Sequence, residues 1–258
     1  MEIRKSLGRF LSIFFIVALG VSFFSGIRAS EPDMRISGDA YFDEKNLMDI
    51  KVISTMGLTK DDLHAIEGLS DVAKAEGGFS QDMLLNIDDN QKVLHVMSIP
   101  ESMNELTVSE GRMPEKEGEC LVDIDFLEGT SYRIGDTITL TGENSGILEV
   151  KEFKIVGTGS SPSYISFGRG SSLIGTGTVS GFLAVTDENF SPDTYTEIYV
   201  KAAGAKEETA FTEGYQKKVD HVIDEIEKIT DARSESREQS LAYEANKRTE
   251  EAGQGLEY

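Results

Sequence analysis

The sequence predicts an α+β chain: one N-terminal transmembrane helix, then an extracytoplasmic α/β layer with a small antiparallel β unit and a C-terminal helix. Three observations predict it. Residues 10–27 form an apolar run without a single charge. Short period-two segments separated by Gly, Asn and Asp follow it. Near the end, Tyr215, Val219, Val222, Ile226 and Ile229 fall at helical spacing.

The apolar run just reaches the length of about 17–20 residues that a helix needs to cross a bilayer core. Arg4, Lys5 and Arg9 stand before it against the single acid Glu2. Basic residues stay on the cytoplasmic side during insertion, so residues 1–9 are expected inside the cell and residues from 28 onward outside, anchored in a cell membrane. A cleaved signal peptide is the rival reading. The run exceeds the roughly 7–15 residues of a signal core, and no small-x-small site follows it. A retained anchor is therefore expected over residues 10–27. Gly20, Ser22, Ser25 and Gly26 are small enough to admit a neighbouring helix, although such residues are common in membrane helices anyway.

The chain carries a formal charge of −21 over 258 residues. A surface so acidic repels nucleic acid and anionic headgroups, so no nucleic-acid partner is expected. The single cysteine, Cys120, excludes a disulfide scaffold. It lies in Gly-Glu-Cys-Leu-Val-Asp, which reads as a buried strand, and a core role is expected rather than a reactive thiol.

Along the outer chain, Asp49 to Ser54 alternates as a half-buried strand. Thr59 is placed to cap a short helix, with Asp61 and Asp62 at its positive end, Leu63, Ile66 and Leu69 on one face, and Gly68 ending it. A strand-like stretch runs from Val72 to Ile87, interrupted at Gly77-Gly78. Asp88 to Gln91 reads as a turn, and Lys92 to Ile99 as another strand. This order suggests one sheet with a helix on one face. Strands expected at 119–124, 137–141, 147–150 and 152–157 suggest a compact antiparallel unit, with at most a helical turn at Phe126 to Glu128. Residues 157–181, rich in Gly and Ser, read as a long loop or lid. Strands return at 181–186 and 197–201. The core domain is expected over 28–206 and a helical segment over 207–258. The apolar seam in that segment lasts two heptads, too short for a coiled coil, so packing onto the domain is the expectation.

Chemistry is sparse. His64, His95 and His221 lie on separate segments, and none has a Cys or second His at metal spacing. A Ser-His-Asp site cannot be judged from spacing, but no Gly-x-Ser-x-Gly elbow occurs. No Gly-x-x-x-x-Gly-Lys-Ser/Thr loop occurs either. Gly175 to Gly181 resembles a phosphate loop only superficially, since no helix follows. Asp88-Asp89-Asn90 and Asp123-Ile-Asp125 lack the rest of a calcium loop and read as a turn and a strand end. No catalytic, cofactor-binding or metal residue is assigned, no cofactor is expected, and an enzyme is not expected.

Residues 3–21, Ile-Arg-Lys-Ser-Leu-Gly-Arg-Phe-Leu-Ser-Ile-Phe-Phe-Ile-Val-Ala-Leu-Gly-Val, closely resemble the first segment of FtsX-like ABC transporter permeases. Residues 23–35 and 41–59 continue the likeness. Glu110-Gly-Arg-Met-Pro, Tyr132-Arg-Ile-Gly-Asp-Thr-Ile and Phe153-Lys-Ile-Val-Gly-Thr are similar to the MacB-like extracytoplasmic core domain of that family. Ser161 to Ser166 and Arg169 to Gly177 resemble its long bacterial members. The resemblance implies a permease subunit with further membrane helices, surrounded by membrane lipid and paired with a cytoplasmic ABC ATPase. ATP hydrolysis there would move the outer domain for export, lipoprotein extraction or signalling. It also implies that 207–258 begins a helical hairpin and that the chain is an N-terminal fragment. Two other functions compete: a membrane-anchored binding or sensor domain, and an anchored hydrolase, which the missing motifs disfavour.

Overall fold

The computed structural model describes residues 7–87, 90–142, 147–166, 168–190, 194–230 and 233. Helix α1 (Leu7–Glu44) contains the whole apolar run and continues for another seventeen residues, from Arg28 to Glu44. None of its residues is buried. It is the one described helix long and apolar enough to cross a membrane. Its polar extension rises about 25 Å at 1.5 Å per residue. Pro32 lies inside that extension, where its missing N–H leaves the Arg28 carbonyl without a helical partner. Within the helix, Ser12 Oγ donates to the Gly8 carbonyl and Ser30 Oγ to that of Gly26, each at 2.9 Å. Both hydroxyls are therefore satisfied by the helix itself.

Two sheets follow. The smaller has three antiparallel strands in the order β1 (Ile50–Leu58), β10 (Tyr195–Ala202), β2 (Val72–Gly78). Helix α2 (Lys60–Glu67) connects β1 to β2, and α4 (residues 213–230) follows β10. Thr59 caps α2 in a full capping box with Asp62, as its position predicts. Gly68 ends α2 in the right-handed region, so its role is closing the turn rather than supplying a left-handed cap. Leu63 and Ile66 of α2, and Leu69 just past it, meet Val219, Val222 and Ile226 of α4 over Ile198 and Val200 of the central strand. The predicted apolar seam, including Tyr215 and Ile229, is thus spent on the domain. Of the expected segment 207–258, residues 231–232 and 234–258 lie outside the described residues.

The larger sheet runs β3 (Ser80–Ile87), β4 (Asn90–Ser98), β9 (Val179–Val185), β6 (Glu119–Asp123), β8 (Glu152–Ser160), β5 (Thr107–Gly111), with β7 (Thr137–Thr139) also paired to β8. Its faces alternate with the period of two expected of strands. Cys120, Val122, Leu183 and Val185 pack on one side, with Phe126 and Leu127 of α3 (Ile124–Glu128). Leu121, Phe182 and Ala184 pack on the other.

Four sequence expectations change. The interruption at Gly77-Gly78 is where the chain leaves one sheet for the other, so β1 to β4 do not form a single sheet. Gly77 sits against the Tyr195 ring, where a Cβ would come within 2.6 Å, and Phe79 stacks between Phe190 and Tyr195 as the crossing point. The unit at 119–158 is mixed rather than wholly antiparallel. β7 pairs antiparallel with β8, but β6 and β8 run parallel, as do β4 and β9. Residues 147–150 form no strand; Leu148 makes an isolated bridge to Phe190, and the Glu149 N–H donates to the Asn189 carbonyl at 3.0 Å. Strand β5, not anticipated, exists because Gly157 and Gly159 let its backbone approach: a Cβ on either would strike the carbonyl of Arg112 or Thr107 at 2.3 and 2.2 Å. The turn expected at Asp88 to Gln91 is described only from Asn90, which already begins β4; Asp88 and Asp89 lie outside the described residues.

Candidate functional site: the joint between helix and domain

Where α1 meets the domain, the helix is stopped and clamped. The Leu47 N–H donates to the Phe42 carbonyl at 2.9 Å and the Asn46 N–H to that of Asp43 at 3.4 Å. Asn46 adopts φ 47° between them. This is a Schellman ending with asparagine in the left-handed position, which asparagine tolerates better than other side-chain-bearing residues. Asn46 Nδ2 then donates to the Ser102 carbonyl at 2.6 Å. Asn104, itself at φ 52°, donates its N–H to the Asn46 carbonyl and accepts from the Met48 N–H at 2.9 Å. Two asparagines thus lock the helix end to the loop after β4.

A second clamp centres on the buried carboxylate of Asp49. It accepts from the Ala202 N–H and the Tyr215 hydroxyl, each at 2.9 Å, and pairs with Lys201 Nζ at 3.3 Å. Lys201 also donates to the Leu47 carbonyl at 2.7 Å. One carboxylate therefore ties the exit of α1, the end of β10 and the start of α4. Burial pushes the Tyr215 phenol up, and the negative charge of Asp49 and its hydrogen bond push it further.

A third contact comes from α1 itself. Asp39 Oδ1 accepts from the Ala210 N–H at 2.6 Å. Phe42 packs edge-on against Phe211, centroids 6.1 Å apart, and Phe211 lies 6.5 Å from Tyr215. Phe211 adopts φ 63°, a strained backbone for an aromatic residue that persists only where its surroundings over-determine it. Phe42, Leu47, Met48 and Tyr215 line a cavity of about 230 Å³ beside it.

The residues weighed from sequence scatter away from this joint. His64 is exposed on α2. His95 Nδ1 lies 2.7 Å from Asp82 Oδ1, while Ser172 Oγ donates to Asp82 Oδ2 at 2.6 Å. The carboxylate sits between hydroxyl and imidazole, so the serine proton goes to Asp82 and not to a histidine base. Burial acts to raise the Asp82 carboxyl, but hydrogen bonds from His95 and Ser172 outweigh it and hold it below the usual range.

Asp123 and Asp125 are occupied by Arg169. Its guanidinium meets Asp123 at 2.6 and 3.0 Å and Asp125 at 2.5 Å. The same arginine, with Tyr164 stacked on Phe182 at 5.5 Å and Ser172 on Asp82, pins the Gly/Ser-rich stretch to the sheet at three points. The expected lid is a fastened loop. Gly175 to Gly181 forms its closing turn, bridged from Ser171 to Thr178, and leads into β9 rather than a helix. Cys120 is fully buried, and burial raises its thiol far above the ordinary range, with nearby Glu119 adding to the effect.

Sequence reasoning singled out none of the joint residues. Asn46, two residues past the end of α1, is a residue type suited to a left-handed cap, but the helix end it caps was not itself legible. Asp49 carried none, because its partners lie about 150 residues away along the chain.

No protein-family model and no curated protein matches this sequence. Among solved structures, the chain is similar to the extracellular domain of the noncanonic ABC-type transporter YknZ from Gram-positive bacteria, at 12% identity and a TM-score of 0.39, covering 60% of this chain and 78% of that one. It is also similar to the periplasmic region of MacB from Actinobacillus actinomycetemcomitans, at 10% identity and a TM-score of 0.37, covering 68% of this chain and 75% of that one. At these scores the likenesses carry nothing about what this chain does.

Proposed function

We propose that the chain is a membrane-anchored permease part whose outer domain is swung as a lever by its membrane helix, within a transporter driven by a cytoplasmic ATPase. The observation that carries the reading is the joint. A helix that leaves the membrane without a break, stops in a defined cap and is clamped by Asn46, Asp49 and Asp39 transmits tilt and rotation. A flexible tether would suffice for an anchor alone. The FtsX-like sequence blocks support the same reading, and they cover both the helix and the domain. On it, the N-terminus faces the cytoplasm, the domain lies outside, and lipid and further permease helices surround α1. The chain performs no bond chemistry of its own; the work is export, lipoprotein extraction or signalling by movement.

The buried Cys120 leaves the native surface free of reactive thiols among the described residues, so single-cysteine reporters read cleanly. In cells, Glu128→Cys should react with a membrane-impermeant maleimide. Cross-links from that position to neighbouring subunits should change when ATP is depleted. Two glycines inserted after Glu44 should abolish that change while the protein stays folded and membrane-bound. Identical cross-links with and without ATP, or an insertion without effect, would overturn the proposal.

A further inference from the structure

We propose that Asp71, His221 and Glu225 form a binding site for one divalent transition cation of the Zn²⁺ class. The inference does not rest on the transporter reading. His221 and Glu225 stand four residues apart on α4 and so share a helix face. Asp71 arrives from the loop that enters β2. His221 Nε2 lies 3.1 Å from Asp71 Oδ2 and 4.0 Å from Glu225 Oε1. One ligand atom from each residue falls within 4.8 Å of the other two.

Both supports are firm. Val219, Val222 and Ile226 seat α4 on the small sheet. The Ala203 N–H donates to the Asp71 carbonyl at 2.7 Å, fixing that loop to the end of β10.

A second observation points to a ligand. Glu225 Oε2 is shielded from solvent and has no hydrogen-bond partner. A bare carboxylate oxygen in that position is costly, and such atoms in native proteins commonly mark a water or ion. The Glu225 oxygen nearest His221 is Oε1, so a cation shared with Asp71 and His221 satisfies Oε2 only by binding the carboxylate through both oxygens.

The donor set selects the metal. One imidazole nitrogen and two carboxylate oxygens suit Zn²⁺ and its neighbours, whereas Ca²⁺ and Mg²⁺ prefer oxygen throughout. Metal bonds of about 2.0–2.2 Å place adjacent ligand atoms about 3.3–3.5 Å apart. The Asp71–His221 pair is already near that spacing. Asp71 and His221 are 46% and 59% exposed, and Glu225, 27% exposed, has to approach from 4.0 Å. A fourth position remains for water. Asp123 and Asp125 do not compete as a site, because Arg169 fills their oxygens. The bound ion would staple α4 to the entrance of β2, joining ligands 150 residues apart.

The test uses the full chain in detergent after chelator treatment. Zn²⁺ titration by calorimetry should show one saturable site, and Zn²⁺ should raise the melting temperature. Co²⁺ should give visible ligand-field absorption. His221→Ala and Glu225→Gln should each weaken binding by more than the roughly 10–100-fold that loss of an outer-sphere partner costs. They should also remove the Co²⁺ bands and abolish the Zn²⁺-induced rise in melting temperature. Because the whole surface is acidic, Ca²⁺ serves as the control and should not displace Zn²⁺ at equal concentration. The site is overturned by the absence of a saturable Zn²⁺ isotherm, by unchanged affinity in His221→Ala, or by displacement with Ca²⁺.

Discussion

At the scale of residues, stability concentrates in a few charged side chains that have been taken out of water with their partners. Arg169 is the clearest case. Its side chain is 8% exposed and that of Asp123 1%, and the pair holds a loop of small residues that has little apolar surface of its own. Arg169→Ala should cost about 3 kcal/mol in a denaturant melt, because it leaves Asp123 buried without a counter-charge. Adding Asp123→Asn should recover part of that loss; a double variant no better than the single would show that packing, not charge, is responsible. Glu119 offers a pH-dependent counterpart. Arg112 grips both its oxygens at 2.7 and 2.8 Å, and this hydrogen bonding, against an opposing effect of burial, lowers its carboxyl from 4.5 to about 2. A depressed carboxyl stabilises the fold above its unfolded value and stops doing so as pH falls through the folded one. Glu119→Gln should therefore be less stable than the native chain at pH 6, and the gap should close between about pH 4.5 and 2. A gap that persists unchanged at pH 2 would refute this.

Among the elements, the decisive one for the proposed function is α1, because its last turn is what would make a membrane anchor into a rigid arm. The Schellman ending depends on Asn46 at positive φ. Asn46→Ala should lose about 2 kcal/mol, combining the left-handed penalty with the lost bond to Ser102. Asn46→Gly should lose only about 1 kcal/mol, since glycine removes the penalty and keeps the turn. Equal losses in thermal melts would mean that the cap geometry is not what matters. Here the sequence was only partly legible. The helix was visible from Phe10 to Ile27 because lipid demands an unbroken apolar run. Its continuation to Glu44 was not: residues from 28 onward were expected to begin the core domain, and Pro32 in a polar stretch gives no sign of a continuing helix. The α2 cap was legible in full, since Thr59 and Asp62 act within one turn. The pairing of β10 between β1 and β2 was not, since a central strand recruited from about 119 to 150 residues away leaves no local mark.

Taken as a whole, the molecule is a strongly acidic body on a stalk whose apolar stretch, residues 10–27, carries no charge. A charge of −21 makes self-repulsion a general burden on the folded state. Raising NaCl from about 0.02 to 0.5 M shortens the screening length severalfold. The melting temperature of the full chain in detergent should rise as a result, because the key ion pairs, Arg169–Asp123 and Lys201–Asp49, are buried and screened least. A melting temperature that falls with salt would mean that exposed ion pairs dominate instead.

By itself, the sequence determined the parts whose causes are local: the apolar span, the capped α2, the buried strand around Cys120 and the apolar stripe of α4. Each follows from solvent preference or from hydrogen bonds closed within a turn. Only the tertiary structure decided how the strands divide between two sheets, which strands run parallel, how Asn46 and Asp49 clamp the stalk, and that Asp71 meets His221. Those depend on contacts between residues far apart in the chain, whose energies exist only once the intervening loops have closed.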